Sequence, residues 1–150
     1  MTTIHAMAER LIGAPAERVY RYIADFQQHH PRFLPPAFSD FRVEEGGVGA
    51  GTIITFRLSV GGRTRAYRSE VAEPIPGQVI TEADPVAGSV TTFTVTPEGS
   101  QSHVRIETTW QGATGLSGFF ERLFAPHVLG KLYTEELERL DRYTNEQRGT

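Results

Sequence analysis

Residues 89–111 read SVTTFTVTPEGSQSHVRIETTWQ, two alternating runs on either side of Pro97 to Ser100. Directly paired residues on antiparallel strands share a face, and their numbers sum to a constant. An even-length loop over Pro97 to Ser100 pairs Val95 with Val104, Phe93 with Ile106, Thr91 with Thr108, and Ser89 with Trp110. The apolar members coincide, which supports this register. The opposite face of the second run carries His103, Arg105, Glu107 and Gln111, which belong in water. Such strands are half-buried, with one face on a core and one in solvent.

The same arithmetic extends upstream. A turn at Gly61-Gly62 pairs Val60 with Arg63, so Ile54, Phe56 and Leu58 lie beside Ser69, Tyr67 and Arg65. Carrying the parity through the turns at Pro74 to Gly77 and Pro85 to Gly88 sets Val71 near Val79, Ser69 near Thr81, and Thr81 near Thr91. A row of hydroxyls then crosses the inner face: Ser69, Thr81, Thr91 and Thr108. Buried hydroxyls need partners, from the backbone or from a ligand and ordered water. Threonine is also simply a good strand former. Arg65 and Tyr67 share that face; an arginine at the rim of an apolar pocket suits a carboxylate or phenolate, although near a hairpin tip it also reaches solvent.

Before this run of strands, Thr3 to Ile12 reads as a strand and Pro15 opens a helix, with Glu17 in its first turn and Val19, Tyr20, Ile23 and Phe26 at helical spacing. Gln27 to Pro36, with two histidines and three prolines, ends it. Gly47, Gly49 and Gly51 precede a strand and read as a bend. After the strands, a helical pattern runs from about Leu116 to Asn145, with Leu116, Phe119, Leu123, Tyr133, Leu137 and Leu140 on one stripe. Pro126 and Gly130 interrupt it at a cost of roughly 3 and 1 kcal/mol relative to alanine. The expectation is a kink near Ala125 or two helical pieces. Phe119, Phe120 and Phe124 before the break serve as an apolar lip over a pocket or as core.

The 150 residues fit one domain, 1–150. A net charge of -3 offers no basic footprint for nucleic acid. The absence of cysteine excludes disulfides and thiolate chemistry. Met1 to Ile12 carries no run resembling a signal peptide or membrane span, so the expectation is a cytoplasmic protein without stable membrane insertion. None of His5, His29, His30, His103 and His127 stands at a metal-ligand spacing, and no nucleophile elbow or phosphate-cradling glycine loop is present. No metal or cofactor is expected. His127 and Lys131, one helical turn apart, could present a proton donor and a charge to one ligand, or form a solvated patch.

Several local phrases resemble the START-like superfamily of polyketide cyclases, dehydratases and lipid-transport proteins. Ala14-Pro15-Ala16-Glu17-Arg18-Val19-Tyr20 is similar to its opening A-P-x-E-x-V-W, with Tyr20 for Trp. Asp25 followed by Pro31 and Phe33 resembles its D-x-x-x-x-P-x-W stretch, Gly49 to Phe56 its G-x-G-T-x-x-x-F strand, and Glu138 to Leu140 its closing L-x-x-L helix. The resemblance implies an α+β helix-grip fold. In it a curved antiparallel sheet of about six or seven strands wraps a long C-terminal helix, with one or two short helices after the first strand. It also implies a pocket between sheet and helix for a lipid, polyketide, quinone or similar small hydrophobic molecule.

The leading expectation is therefore binding or transport of such a ligand. Phe56, Leu58, Phe93, Ile106, Trp110, Phe120 and Phe124 supply apolar contact, and Arg65, Tyr67, Thr81, Thr91, Thr108 and His127 supply polar contact. One alternative is a cyclase or dehydratase with Tyr67 or His127 as proton donor. The other is a protein-interaction module, which a filled interior with an exposed apolar patch would favour.

Overall fold

The computed structural model describes residues 3–60, 62–111 and 115–147, the side chains of 115–124 excepted. Strand β1 (Thr3–Ile12) leads into helix α1 (Ala16–Ala24) and a 3-10 turn at His30–Phe33. Six strands follow: β2 (Phe38–Glu45), β3 (Ile53–Val60), β4 (Arg63–Ile75), β5 (Val79–Asp84), β6 (Ser89–Glu98) and β7 (Gln101–Gln111). Helix α2 (Gly115–Gln147) closes the chain. The architecture is the α+β helix-grip type that the resemblance implied.

The sheet has seven strands in the order β1-β7-β6-β5-β4-β3-β2, every neighbouring pair antiparallel. Hairpins account for every connection except the first. There the chain must travel from one edge to the other, and α1 with the 3-10 turn carries it. Helix α1 starts after Pro15, with Glu17 in its first turn and Arg21 in its last, both matched to the helix dipole. Its buried side chains Val19, Tyr20, Ile23 and Ala24 join Phe26, Phe33, Val95, Val104, Leu137 and Leu140 in the core. Full burial of each large apolar side chain contributes roughly 1.5–3 kcal/mol.

The registers of β3 with β4 and of β6 with β7 are those expected: Phe56 faces Tyr67, Leu58 faces Arg65, Phe93 faces Ile106 and Thr91 faces Thr108. Those of β5 differ. Glu82, not Thr81, stands opposite both Val71 and Thr91, while Thr81 is opposite Ala72 and Thr92. The cause is a register shift in β4 between Ala72 and Ile75, where Glu73 and Pro74 intervene and Pro74 has no N–H to give to a ladder. A shift of one residue exchanges the faces of the whole strand. On the other side of β5, residues 85–88 form the loop between the paired Asp84 and Ser89, which exchanges the parity again. The two changes cancel, so β6 and β7 keep their expected faces while β5 does not. Asp84 holds that loop by accepting from the backbone N–H groups of Arg68, Val86 and Ala87 at 2.9–3.0 Å.

Of the two forms expected for helix α2, it does not take that of two separate pieces: it runs through Pro126 and Gly130 as one element. Gly130 lies over β1, where an added Cβ would stand 3.6 Å from the Met7 carbonyl, an ordinary contact distance. The stripe residues Leu116, Phe119 and Leu123 lie outside the described side chains.

Glu73 explains why the irregular point of β4 is stable. Its carboxylate accepts from the Tyr20 hydroxyl at 2.6 Å and from the Ala50 N–H at 2.8 Å, joining α1, the glycine bend and β4. Gly49 in that bend has φ of +69°, and a side chain there would run into the same carboxylate. Hydrogen bonds to a charged group contribute about 1.5–3 kcal/mol, so Tyr20→Phe is expected to lower the unfolding free energy by about that amount. Urea titration measures it; an unchanged midpoint would mean that Glu73 does not anchor the bulge.

Candidate functional site: a cavity with a polar floor

The interior is not filled. Between the sheet, α2 and the 3-10 turn lies a cavity of about 490 Å³. Its apolar wall comes from alternate residues of the strands, Phe56 and Leu58 on β3, Phe93 on β6, and Ile106 and Trp110 on β7. Helix α2 adds Ala125, Leu129, Tyr133 and Glu136, whose spacing puts them on one face. Arg63, Thr64 and Arg65, all exposed, mark the rim, and Tyr67 stacks on Phe56 at 5.4 Å between ring centroids just inside it.

The floor is polar and buried. Glu136 is 2% exposed and His30 also 2%, and the side chain of Glu82 is 11% exposed. The Tyr133 hydroxyl lies 2.6 Å from Thr108 Oγ1, which is 2.7 Å from Thr91 Oγ1, so three hydroxyls form a chain along the wall. His30 Nδ1 is 2.7 Å from the Ile23 carbonyl, which can only accept, so Nδ1 carries the proton and Nε2 keeps its lone pair. The ring is wedged among aromatics, stacked on Phe26 at 4.6 Å with the edge of Phe93 at 5.5 Å. Burial pushes its pKa down to about 4.

Burial acts on the acids in the opposite sense, since it always disfavours the charged form. Glu82 is pushed up to about 8 by burial. Glu136 is driven well above the ordinary carboxyl range, by burial first and by the nearby Glu82 second. Burial likewise raises Tyr133 and keeps its hydroxyl neutral. His30 Nε2 and Glu82 Oε2 are 3.9 Å apart. Near pH 7 this is an approach of a neutral imidazole and a neutral carboxylic acid, not an ion pair. Glu82 Oε2 has no hydrogen-bond partner among the described residues. The floor therefore offers a proton donor, a proton acceptor and a row of hydroxyls to whatever enters.

Of the residues singled out from sequence, Phe56, Leu58, Arg65, Tyr67, Thr91, Phe93, Ile106, Thr108 and Trp110 line the cavity. Thr81 does not, because the shift in β4 turns it to the outer face. His127 is exposed in a separate groove with Met7, Lys131 and Glu135, one helical face away from Tyr133 and Glu136, so it cannot act in the cavity. The side chains of Phe120 and Phe124 lie outside the described residues. His30, Glu82, Tyr133 and Glu136 were not singled out as site residues. Tyr133 stood on the apolar helical stripe, and Glu136 three residues on was the available signal for the rest.

A profile of the family described as polyketide cyclase / dehydrase and lipid transport matches residues 3–144. The chain belongs to this family. No curated protein matches it. Among solved structures, the KanY protein is 36% identical, with 97% of this chain and 99% of that one covered and a TM-score of 0.85. The fold also matches, at 17% identity, the Zhui aromatase/cyclase from Streptomyces sp. R1128, with 97% and 96% covered and a TM-score of 0.77. It matches norcoclaurine synthase from Thalictrum flavum, solved with dopamine and hydroxybenzaldehyde, at 16% identity, 97% and 88% covered and a TM-score of 0.69. Among the described residues, no helix is long and apolar enough to cross a membrane.

The buried acids make stability depend on pH with a sign that can be worked out. Glu82 keeps its proton to about pH 8 when folded but has an ordinary value of 4.5 when unfolded. Between those values the unfolded chain binds fewer protons, so stability falls as pH rises. His30, with a folded value of about 4 against 6.5, works the other way: stability falls as pH drops from 6.5 to 4. Above pH 6.5 the downward slope belongs to the carboxyls. Glu82→Gln is expected to gain stability relative to the wild type from pH 6.5 to 8.5, read as melting temperature; parallel curves would place the ordinary carboxyl value on Glu82.

Proposed function

We propose that the protein binds or carries a small ligand with an apolar body and an oxygen acceptor, such as a ketone, quinone or phenol, at one end. One observation carries the reading: a cavity of about 490 Å³, apolar on its walls, ends at a carboxyl group that holds a proton near neutral pH and whose Oε2 has no hydrogen-bond partner among the described residues. That volume falls in the range of small-molecule sites, whose few polar groups fix orientation. A buried donor left unsatisfied costs about 1–3 kcal/mol, and a ligand oxygen at Glu82 recovers it. An unfilled interior also argues against a module that only docks proteins.

The protein contains its own probe. Trp110 is the sole tryptophan, and it lines the cavity. Titration with the neutral fluorophore N-phenyl-1-naphthylamine is expected to quench Trp110 emission with saturation. Leu129→Trp, which fills the cavity from α2, is expected to abolish the probe's own fluorescence gain without lowering the melting temperature. Unsaturable binding that Leu129→Trp leaves intact would remove the cavity reading.

A second reading, a cyclase or dehydratase, is favoured by the approach of His30 to Glu82. In that reading the neutral imidazole Nε2 takes a proton from carbon next to a ligand carbonyl, and the Glu82 acid gives one to a departing hydroxyl, releasing water and leaving a C=C bond. The proton returns from imidazolium to carboxylate once the 3.9 Å separation closes to hydrogen-bond distance or one water bridges it. Glu82→Gln and His30→Gln are expected to lower turnover at least about a hundredfold while binding survives. Turnover that persists in both variants would leave binding alone.

A further inference from the structure

The charges that line the cavity are sorted by position. Its described carboxyl groups, Glu82 and Glu136, are both at the buried floor, and its described arginines, Arg63 and Arg65, are both at the exposed rim. The floor acids are held neutral by burial, so they do not draw a cation inward. Other arginines of the same hairpin region are neutralised: Arg57 lies 3.6 Å from Asp40, and Arg68 lies 2.8 Å from Glu44. Arg63 and Arg65 have no carboxylate within ion-pair distance among the described residues. Arg65 instead lies over the Tyr67 ring, its guanidinium carbon 5.6 Å from the centroid, which holds it at the mouth and leaves its donors available.

We propose that the ligand is an amphipathic anion whose carboxylate, or an equivalent acidic group, is held by Arg63 and Arg65 at the rim while its uncharged oxygen-bearing end reaches Glu82. This rests on the cavity being the binding site and adds the ligand's charge and orientation. Guanidinium groups suit the task because their planar donors match a carboxylate in bidentate fashion. Along β4 the rise from Arg65 to Val71, the residue opposite Glu82, is about 20 Å between backbones at ~3.3 Å per residue. With both side chains reaching inward, a fused-ring or medium-chain acid spans what is left. An inverted ligand, anion inward, would set its charge against two acids and a hydroxyl chain with no cation to meet it.

The test compares two probes of nearly the same apolar body, 8-anilinonaphthalene-1-sulfonate and neutral N-phenyl-1-naphthylamine, on the full chain at low salt. The wild type is expected to bind the sulfonate about tenfold more tightly, an advantage that shrinks as salt screens the exposed rim. Arg63→Gln with Arg65→Gln is expected to remove that advantage and leave the neutral probe unchanged, and Arg63→Lys with Arg65→Lys to restore part of it. Sulfonate binding unaffected by the glutamine pair, with the neutral probe still bound, overturns the anion and leaves the cavity reading standing. A glutamine pair that weakens both probes equally also overturns it, since the arginines would then support the wall. Failure of the wild type to bind either probe defeats the cavity reading itself.

Discussion

Helix α2 lies chiefly along β1 at one edge of the sheet, touching the 3-10 turn, and between it and part of the inner face of the central strands the cavity remains. Gly130 passes over the Met7 carbonyl, and the fully buried Leu137 and Leu140 belong to the same helix. Phe56, Phe93 and Trp110 each touch the core and also line the cavity. Helix α2 reaches across to β7 through the Tyr133 hydroxyl on Thr108, which props the open side without filling it.

Once that volume exists, its chemistry follows from the dielectric. Carboxyl groups sealed from water with no cation beside them hold their protons, and an imidazole in the same surroundings loses its proton. The floor is therefore electrically quiet near neutral pH, although it carries two acids and a base. Such a set is poor for stability, since apolar side chains of similar volume would pack without any protonation cost. Local choices that weaken the fold are expected where function demands them, and here they coincide with a cavity wall shared by helix and sheet.

Much of this was legible in the sequence because alternation and hairpin sums are rigid constraints. The pairing of Thr91 with Thr108 and of Phe56 with Tyr67 needed only the turn lengths. Glu82 was hidden by a device that turn lengths do not report. The bulge at Glu73 and Pro74 turns β5 over, and what holds that bulge is a side-chain contact to Tyr20 from a distant helix. Thr81 was placed inside for the same reason that Glu82 was not. His127 and Glu136 share one helix, and only the rotational setting of α2 against β1 decides which looks inward; the apolar stripe through Tyr133 and Leu137 holds that setting, so Glu136 was readable. Which of the two expected forms α2 takes at Pro126 was not, because propensity is a local cost that long-range packing can outweigh.

The most direct measurement is a pH titration of the side-chain carboxyl carbons by NMR, with ¹³C-labelled glutamate and Glu82→Gln to assign the resonance. The Glu82 signal is expected to move from the acid to the carboxylate position with a midpoint near pH 8, the value that burial imposes. A midpoint near the ordinary carboxyl value of 4.5 would mean that water or a cation reaches the floor, and the closed, protonated end on which the account depends would not exist.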